Sequence, residues 1–148
     1  MLFLKKDATI AQIYQADPKT RLARPLFLST VAAGFPSPAD DYIDRELDLN
    51  DYLIANPAAT FFVRVAGDSM VEAGIRHDDI LVVDRALEPR SGRIVIAIID
   101  RELTVKRFIQ NGECCHLIAE NPDYPDIELS DGMDLEVWGV VTWAVHKV

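Results

Sequence analysis

Residues 92–108 read GRIVIAIIDRELTVKRF, and this stretch decides the fold. Two runs rich in Ile and Val flank the charged triplet Asp100-Arg101-Glu102, a pattern typical of two antiparallel strands joined by a turn. The triplet lacks the Asn-Gly or Asp-Gly pair that tight hairpin turns favour, so we expect a strained turn or a longer one. The stretch therefore predicts a β-hairpin.

Similar β-branched and aromatic runs, separated by turn residues, occur on both sides of this hairpin. Together with the hairpin they give six predicted strands, at residues 60–65, 80–84, 93–99, 102–108, 115–120 and 135–145. The chain has 148 residues and 49% hydrophobic content, which is enough to bury one core. We therefore expect a mostly β protein with a compact, antiparallel β domain.

The N-terminal part has a different character. Residues 1–38 combine isolated apolar residues with four prolines and show no sustained periodicity. This composition predicts a flexible, extended N-terminal arm over residues 1–38, followed by the β domain over residues 39–148. We expect this arm to be too short for a helix-turn-helix domain.

Two short helices are expected near the start of the β domain. Ser37, Pro38 and Asp40 have the spacing of a helix-capping box, which predicts a short acidic helix through about Arg45. Asn50 is expected to cap a second brief helix over residues 51–55, which the following Asn-Pro pair would stop.

Charge is distributed unevenly along the chain. Residues 1–33 carry five basic and two acidic side chains, a net of +3, and since the whole chain carries −9, the remainder carries −12. Such an acidic body repels the phosphate backbone, so we expect protein partners and no direct tight DNA binding. No apolar run approaches the ~20 residues of a membrane span, and the N-terminus lacks the order of a secretory signal. We expect a cytoplasmic protein with no membrane contact.

The cysteines and histidines do not indicate a metal site. Cys114 and Cys115 are adjacent and are the only cysteines, so they cannot form a Cys-ligated zinc site, and we expect them to pack at a strand end. His77, His116 and His146 show no metal-ligand spacing and are expected on the solvated surface. We therefore expect no metal and no cofactor.

Ser69 and Lys106 are the candidate catalytic residues. Ser69 follows Gly67 in a predicted turn, where serine is also an ordinary structural residue. Lys106 interrupts an apolar strand, on the face of Thr104 and Phe108, and a lysine there could instead extend its stem to solvent. A lysine with the reference pKa of ~10.4 is almost fully protonated near neutral pH, so a general base at this position has to be desolvated. From the residues alone, both interpretations stay open.

The order and spacing of several motifs resemble the self-cleaving peptidase domain of the LexA/UmuD family, and its UmuD-like members in particular. The resemblance covers roughly residues 30–145 and includes a small-residue cleavage segment at residues 33–42. The other matching segments are Leu49, residues 59–63, Gly67-Asp68-Ser69-Met70, Gly74-Ile75, residues 79–84, residues 92–97 and Leu103-Thr104-Val105-Lys106. Asp78 and Arg101 depart from the pattern, because relatives often have glycine at these two turn positions.

The resemblance implies a Ser/Lys self-cleaving serine peptidase with the fold of the LexA C-terminal domain. By that resemblance Ser69 is the nucleophile and Lys106 is the general base. The backbone N–H groups of Asp68 and Ser69 would hold the oxyanion. The bond between Ala33 and Gly34 would be the cleavage site.

The resemblance further implies a role in the SOS response to DNA damage. A RecA filament on single-stranded DNA would trigger the cut, and the processed homodimer would serve a UmuC-like Y-family polymerase in translesion synthesis, with the sliding clamp as a further candidate partner. The alternative is a noncatalytic polymerase-docking module with a relic dyad. A signal peptidase would need a membrane anchor, and a LexA-type or phage-type repressor would need a DNA-recognition helix.

Overall fold

The computed structural model describes residues 9–27, 43–129 and 135–148. Within these residues it contains ten strands, one α-helix and two short 3-10 turns. They are β1 (Thr9–Gln15), β2 (Ala23–Phe27), β3 (Ile43–Asp48), α1 (Leu49–Leu53), β4 (Thr60–Ala66), β5 (Ile80–Asp84), β6 (Ile94–Ile99), β7 (Glu102–Asn111), β8 (Cys114–Ile118), β9 (Ile127–Glu128) and β10 (Leu135–Val145), with the 3-10 turns at Pro57–Ala59 and Val71–Ala73. The predicted mostly β, antiparallel fold is confirmed.

All six predicted strands are present, and β5 and β10 have the predicted bounds. The sequence pattern missed β1, β2, β3 and β9. In β1 the pairing register shifts between Ile10 and Gln12, and this bulge breaks the alternation on which strand prediction depends. In β2, Pro25 argues against a strand, but within the described ranges β2 pairs with β3 alone, and a strand at the edge of a sheet tolerates proline.

Eight of the strands form one antiparallel sheet in the order β1-β4-β5-β10-β6-β7-β8-β9. The sheet curls until β1 also reaches β7, where Thr9 pairs with Thr104. Alternate residues of a strand point to opposite faces, so β6 and β7 contribute to two buried clusters. The first cluster contains Val63, Val65, Met70, Ile75, Leu81, Val83, Ile96, Val105 and Val141. The second contains Val95, Ala97, Phe108, Leu117 and Val140.

Strand β10 connects the two halves of this sheet, because it pairs with β5 along one edge and with β6 along the other. Its register shifts between Val137 and Gly139, where the strand comes very close to β5. A Cβ atom at residue 139 would lie 2.6 Å from Cγ1 of Val83, whose side chain is fully buried. This close approach requires glycine at position 139.

The described residues between 17 and 55 form one structural unit, and the described residues outside this range form the other. In the smaller unit, β2 and β3 pair and α1 follows β3 directly. The carboxylate of Asp48 accepts hydrogen bonds from the backbone N–H groups of Leu22, at 2.7 Å, and Asn50, at 2.9 Å. These bonds, with that from Leu22 the larger cause, lower the pKa of Asp48 from its ordinary value. The ionised Asp48 therefore stabilises both the start of α1 and its link to the preceding chain.

Two helix predictions are corrected by this unit. The predicted acidic helix through Arg45 is wrong at its end, because residues 43–45 lie in β3, where pairing with β2 provides support that so short a helix lacks. The earlier part of that helix lies outside the described residues. The second helix is present as Leu49–Leu53, but Asp48 caps it, and the Asn50 side chain instead donates to the carbonyl of Thr20.

The predicted division into an arm over residues 1–38 and a domain over residues 39–148 was based on composition and periodicity, and it stays a prediction. The two structural units divide the chain elsewhere, because β1 lies in the large sheet and pairs with β4 along six positions. Part of the predicted arm is therefore an integral strand.

The β6–β7 hairpin has a two-residue turn, because Ile99 pairs directly with Glu102. Both central residues adopt positive φ angles, 48° for Asp100 and 68° for Arg101. Glycine and asparagine tolerate this conformation, whereas an arginine Cβ is crowded there. Of the two alternatives predicted for this turn, strain is the one observed. Asp78, the other departure from the family pattern, has φ 68°.

We predict that Arg101→Gly stabilises the protein by about 1 kcal/mol, because it removes left-handed strain that exceeds the entropic cost of glycine. Urea unfolding of the uncleaved protein measures the change. Arg90→Gly is a matched control, because Arg90 is also exposed but does not have positive φ. The control should be neutral or destabilising, and a loss of stability in Arg101→Gly would contradict the strained-turn interpretation.

Candidate active site

The Ser69 turn, residues 67–70, connects β4 to the 3-10 turn that follows it. Gly67 adopts φ 97°, which allows the chain to reverse sharply at the end of the strand. Met70 then packs in the first buried cluster, and Ser69 has 0% of its surface exposed. The turn therefore holds the serine inside the domain.

Lys106 lies on β7 directly opposite Val95 of β6, on the face of the second buried cluster. Its side chain is also 0% exposed, which excludes the alternative in which the stem carries the ammonium group to solvent. The Nζ atom of Lys106 lies 3.4 Å from Oγ of Ser69, so the fold brings together two residues that are 37 positions apart. The pair is within hydrogen-bond distance, slightly beyond the roughly 2.6–3.2 Å of direct proton transfer, and such contacts often shorten when the substrate binds.

Strand β1 connects the two strands that supply this pair. Its first residue, Thr9, pairs with Ala66 at the end of β4 and with Thr104 on β7. Ala66 immediately precedes the Ser69 turn, and Thr104 is two residues before Lys106. The N-terminal end of β1 therefore bridges the elements that carry the serine and the lysine.

Three side chains outside the predicted site hold the Ser69 turn. The Nδ2 atom of Asn121 donates to the carbonyl of Asp68 at 2.9 Å, and the hydroxyl of Tyr124 donates to Oδ1 of Asp68 at 2.6 Å. The backbone N–H of Gly67 donates to Nδ1 of His77 at 3.0 Å. His77 is exposed as predicted, but its contact with the turn was not predicted. Residues 121–126 follow the predicted strand 115–120 and gave only a turn signal in the sequence.

The other predicted site features differ in how far the structure describes them. The backbone N–H groups of Asp68 and Ser69 belong to the turn, and their role at an oxyanion stays a prediction. The predicted cleavage site, Ala33 and Gly34, lies outside the described residues. Among the described residues, no helix is long and apolar enough to cross a membrane.

A curled antiparallel β domain that buries a serine beside a lysine is the arrangement expected of a self-cleaving Ser/Lys peptidase. Residues 25–142 match the family described as Peptidase S24-like, and the chain belongs to this family. The predicted membership of the LexA/UmuD group is confirmed, and the chain is a self-cleaving serine peptidase of SOS mutagenesis.

Individual relatives align with most of the chain. Protein ImpA of Salmonella typhimurium is 45% identical over 135 residues, which are 89% of this chain and 91% of that protein. Protein SamA of Salmonella typhimurium strain LT2 is 51% identical over 123 residues, 83% of this chain and 85% of that protein. The LexA repressor of Shewanella denitrificans is 36% identical over 118 residues, which are 80% of this chain but only 57% of the repressor.

Proposed function

We propose that this peptidase cuts its own chain between Ala33 and Gly34, with Ser69 as the nucleophile and Lys106 as the general base. The observation that supports this assignment is the 3.4 Å separation of Ser69 Oγ and Lys106 Nζ, in two fully buried side chains. A buried lysine that packs among apolar residues has little structural benefit to offset its desolvation, whereas a proton acceptor beside a serine has a chemical use.

The proposed reaction begins when the neutral amine of Lys106 takes the hydroxyl proton of Ser69. The Oγ atom attacks the carbonyl carbon of Ala33, and the backbone N–H groups of Asp68 and Ser69 stabilise the resulting oxyanion. The Lys106 ammonium then gives its proton to the amide nitrogen of Gly34, and the peptide bond breaks. Water, activated by the neutral Lys106, hydrolyses the ester on Ser69 and restores the dyad.

The residues on both sides of the proposed bond suit this chemistry. Ala33 has one methyl group and Gly34 has no side chain, so an extended segment can bring its carbonyl close to a buried serine. A larger side chain at residue 34 would hold the bond away from Oγ of Ser69. The products would be residues 1–33 and residues 34–148.

We predict that Ser69→Ala and Lys106→Ala each abolish self-cleavage while the protein stays folded, because the two groups act in a single proton-transfer step. Mass spectrometry of overnight incubations should show a fragment that begins at Gly34 in the wild type only. Lys147→Ala, which removes an exposed lysine, is the control and should cut normally. Cutting in either dyad variant would exclude the dyad, and absence of cutting in the wild type would favour the noncatalytic docking module.

A second prediction concerns the bond itself. Gly34→Val should slow cleavage by at least about tenfold, because a β-branched side chain next to the scissile carbonyl prevents close approach to the nucleophile. Ala39→Val introduces the same side chain five residues further along and should leave the rate almost unchanged. Equal rates for Gly34→Val and the wild type, or a new N-terminus at another residue, would show that the cleavage site is assigned wrongly.

A third prediction follows from the use of an amine as the base. The first-order cleavage rate should rise about tenfold per pH unit while the reactive neutral amine is the minor form, and then level off. Rates of the purified protein between about pH 6 and 11 test this, and Ser69→Ala should show none at any pH. A profile with its midpoint near pH 6.5 would indicate histidine and contradict the lysine mechanism.

We also propose that a RecA filament on single-stranded DNA stimulates the cut, and that the processed homodimer joins a UmuC-like Y-family polymerase. Family membership and the similarity to ImpA and SamA support this role. The net charge of −9 also favours contact with protein rather than with the DNA backbone. A filament that docks the cleavage segment over the dyad would raise the cleavage rate by increasing the fraction of molecules with the segment in place, and it need add no catalytic group.

A further inference from the structure

We infer that Asn121 and Tyr124 are positioning residues for self-cleavage. Two hydrogen bonds to Asp68 hold the Ser69 turn in its reactive geometry, and the Tyr124 ring stabilises the Lys106 ammonium that forms when Ser69 loses its proton. This inference rests on the proposed Ser/Lys dyad, and it assigns roles to two residues that the motif pattern did not indicate.

The first contact restrains the backbone beside the nucleophile. The Nδ2 atom of Asn121 donates to the carbonyl of Asp68 at 2.9 Å, and the same carbonyl accepts the N–H of Val71 at 3.3 Å. The peptide unit between Asp68 and Ser69 includes this carbonyl and the N–H of Ser69, so fixing one end of the unit fixes the other. The orientation of a proposed oxyanion donor therefore depends on the Asn121 side chain.

The second contact connects Asp68 to the base. The Tyr124 hydroxyl donates to Oδ1 of Asp68 at 2.6 Å, a short bond of the kind that an ionised acceptor makes. The centroid of the Tyr124 ring lies 5.9 Å from Nζ of Lys106, within the range of a cation–π interaction. Tyr124 has only 7% of its surface exposed, so little water screens these contacts. One side chain thus contacts the nucleophile turn through its hydroxyl and the base through its ring.

The segment that carries these residues, residues 120–124, is itself fixed to both parts of the dyad. The N–H of Tyr124 donates to the carbonyl of Asn121 at 3.1 Å, which closes a tight turn. The carbonyl of Glu120 accepts the N–H of Glu72, just after the Ser69 turn, at 2.9 Å. The carboxylate of Glu120 also pairs with Arg107, the residue after Lys106 on β7. The segment therefore links the chain beside Ser69 to the strand of Lys106.

The ring contact acts on one protonation state in particular. An aromatic face attracts an ammonium group but not a neutral amine. During the proposed reaction Lys106 becomes charged as the oxyanion forms, so the attraction is greatest when the barrier is being crossed. Loss of the ring should therefore slow the chemical step and also make the ammonium less stable in the resting protein.

Two variants of the full-length protein distinguish the effect of the Tyr124 hydroxyl on cleavage from the effect of its ring. Tyr124→Phe keeps the ring and should lower the plateau of the cleavage rate about tenfold without moving the midpoint of the pH profile. Tyr124→Leu removes both groups, and should lower the plateau further and move the midpoint to lower pH. Tyr14→Phe is the control, because Tyr14 also donates a hydroxyl hydrogen bond, to Gln12 on the exposed strand β1, and it should cut at the wild-type rate.

A double-mutant cycle tests whether the hydroxyl acts through Asp68. Asp68→Ala and Tyr124→Phe should each cost about tenfold, and the double variant should cost about tenfold rather than a hundredfold, because both remove the same contact. Asp68→Asn keeps an acceptor oxygen and should recover part of the rate lost in Asp68→Ala. Asn121→Ala, measured beside them, should reduce the plateau through the separate backbone contact.

The outcomes distinguish this inference from the dyad on which it rests. Ser69→Ala and Lys106→Ala are assayed in parallel, and cutting by either would overturn the dyad itself. If both dyad variants are inactive, two results would overturn the positioning role through Asp68 and leave the dyad intact. One is that Tyr124→Phe cuts at the wild-type rate. The other is that the losses of rate in Tyr124→Phe and Asp68→Ala are fully additive in the double variant. An unchanged midpoint in Tyr124→Leu overturns the role of the ring. Thermal unfolding of each variant tests for a purely structural effect. In that case the melting temperature falls, whereas the cleavage rate of the folded protein stays the same.

Discussion

The rest of the structure depends on placing Lys106 inside the domain next to Ser69. An amine in this position loses its hydration, and the fold has to offset that cost with packing and polar contacts. Curling of the sheet gives Lys106 a buried position on the face of Val95 and the second cluster, while its Nζ atom reaches the turn after β4. Among the described residues no buried polar side-chain atom lacks a hydrogen-bond partner. The polar pair is therefore enclosed without leaving a polar group unsatisfied.

The fold was predictable where local pattern and tertiary context agree. Strands β5 and β10 are rich in β-branched and aromatic residues, and their bounds were predicted correctly. The pattern failed where a local irregularity changes the period, as at the bulge between Ile10 and Gln12 in β1, or where a residue is tolerated only at an edge, as Pro25 is in β2. The helix after β3 was predicted in the right place but with the wrong cap, because the carboxylate of Asp48 can also accept a bond from Leu22, which is distant in sequence.

The candidate site was predictable only in part. A serine after a glycine turn and a lysine on an apolar strand are each weak signals, and only their resemblance to a known family joined residues that are 37 positions apart. Asn121 and Tyr124 could not be found in this way, because an asparagine and a tyrosine in a turn have no spacing that indicates a contact with Asp68. Their position becomes meaningful only when the 120–124 segment is seen to pack between the Ser69 turn and β7.

Strand β1 gives self-cleavage a consequence beyond the loss of an arm. If the bond after Ala33 is the one cut, β1 and β2 belong to a separate peptide. That peptide is held by the six-position ladder of β1 with β4, the single pairing of β1 with β7 and the five-position pairing of β2 with β3. The release of β1 from the sheet is then a dissociation of two chains. Its extent depends on protein concentration and on competing ligands rather than on unfolding. A departing β1 uncovers a row of backbone donors and acceptors along β4, which is a template for a strand from another chain. A cut after Ala33 would thus convert an internal strand into an exchangeable one, and the backbone edge along β4 would then be open to a strand from another chain.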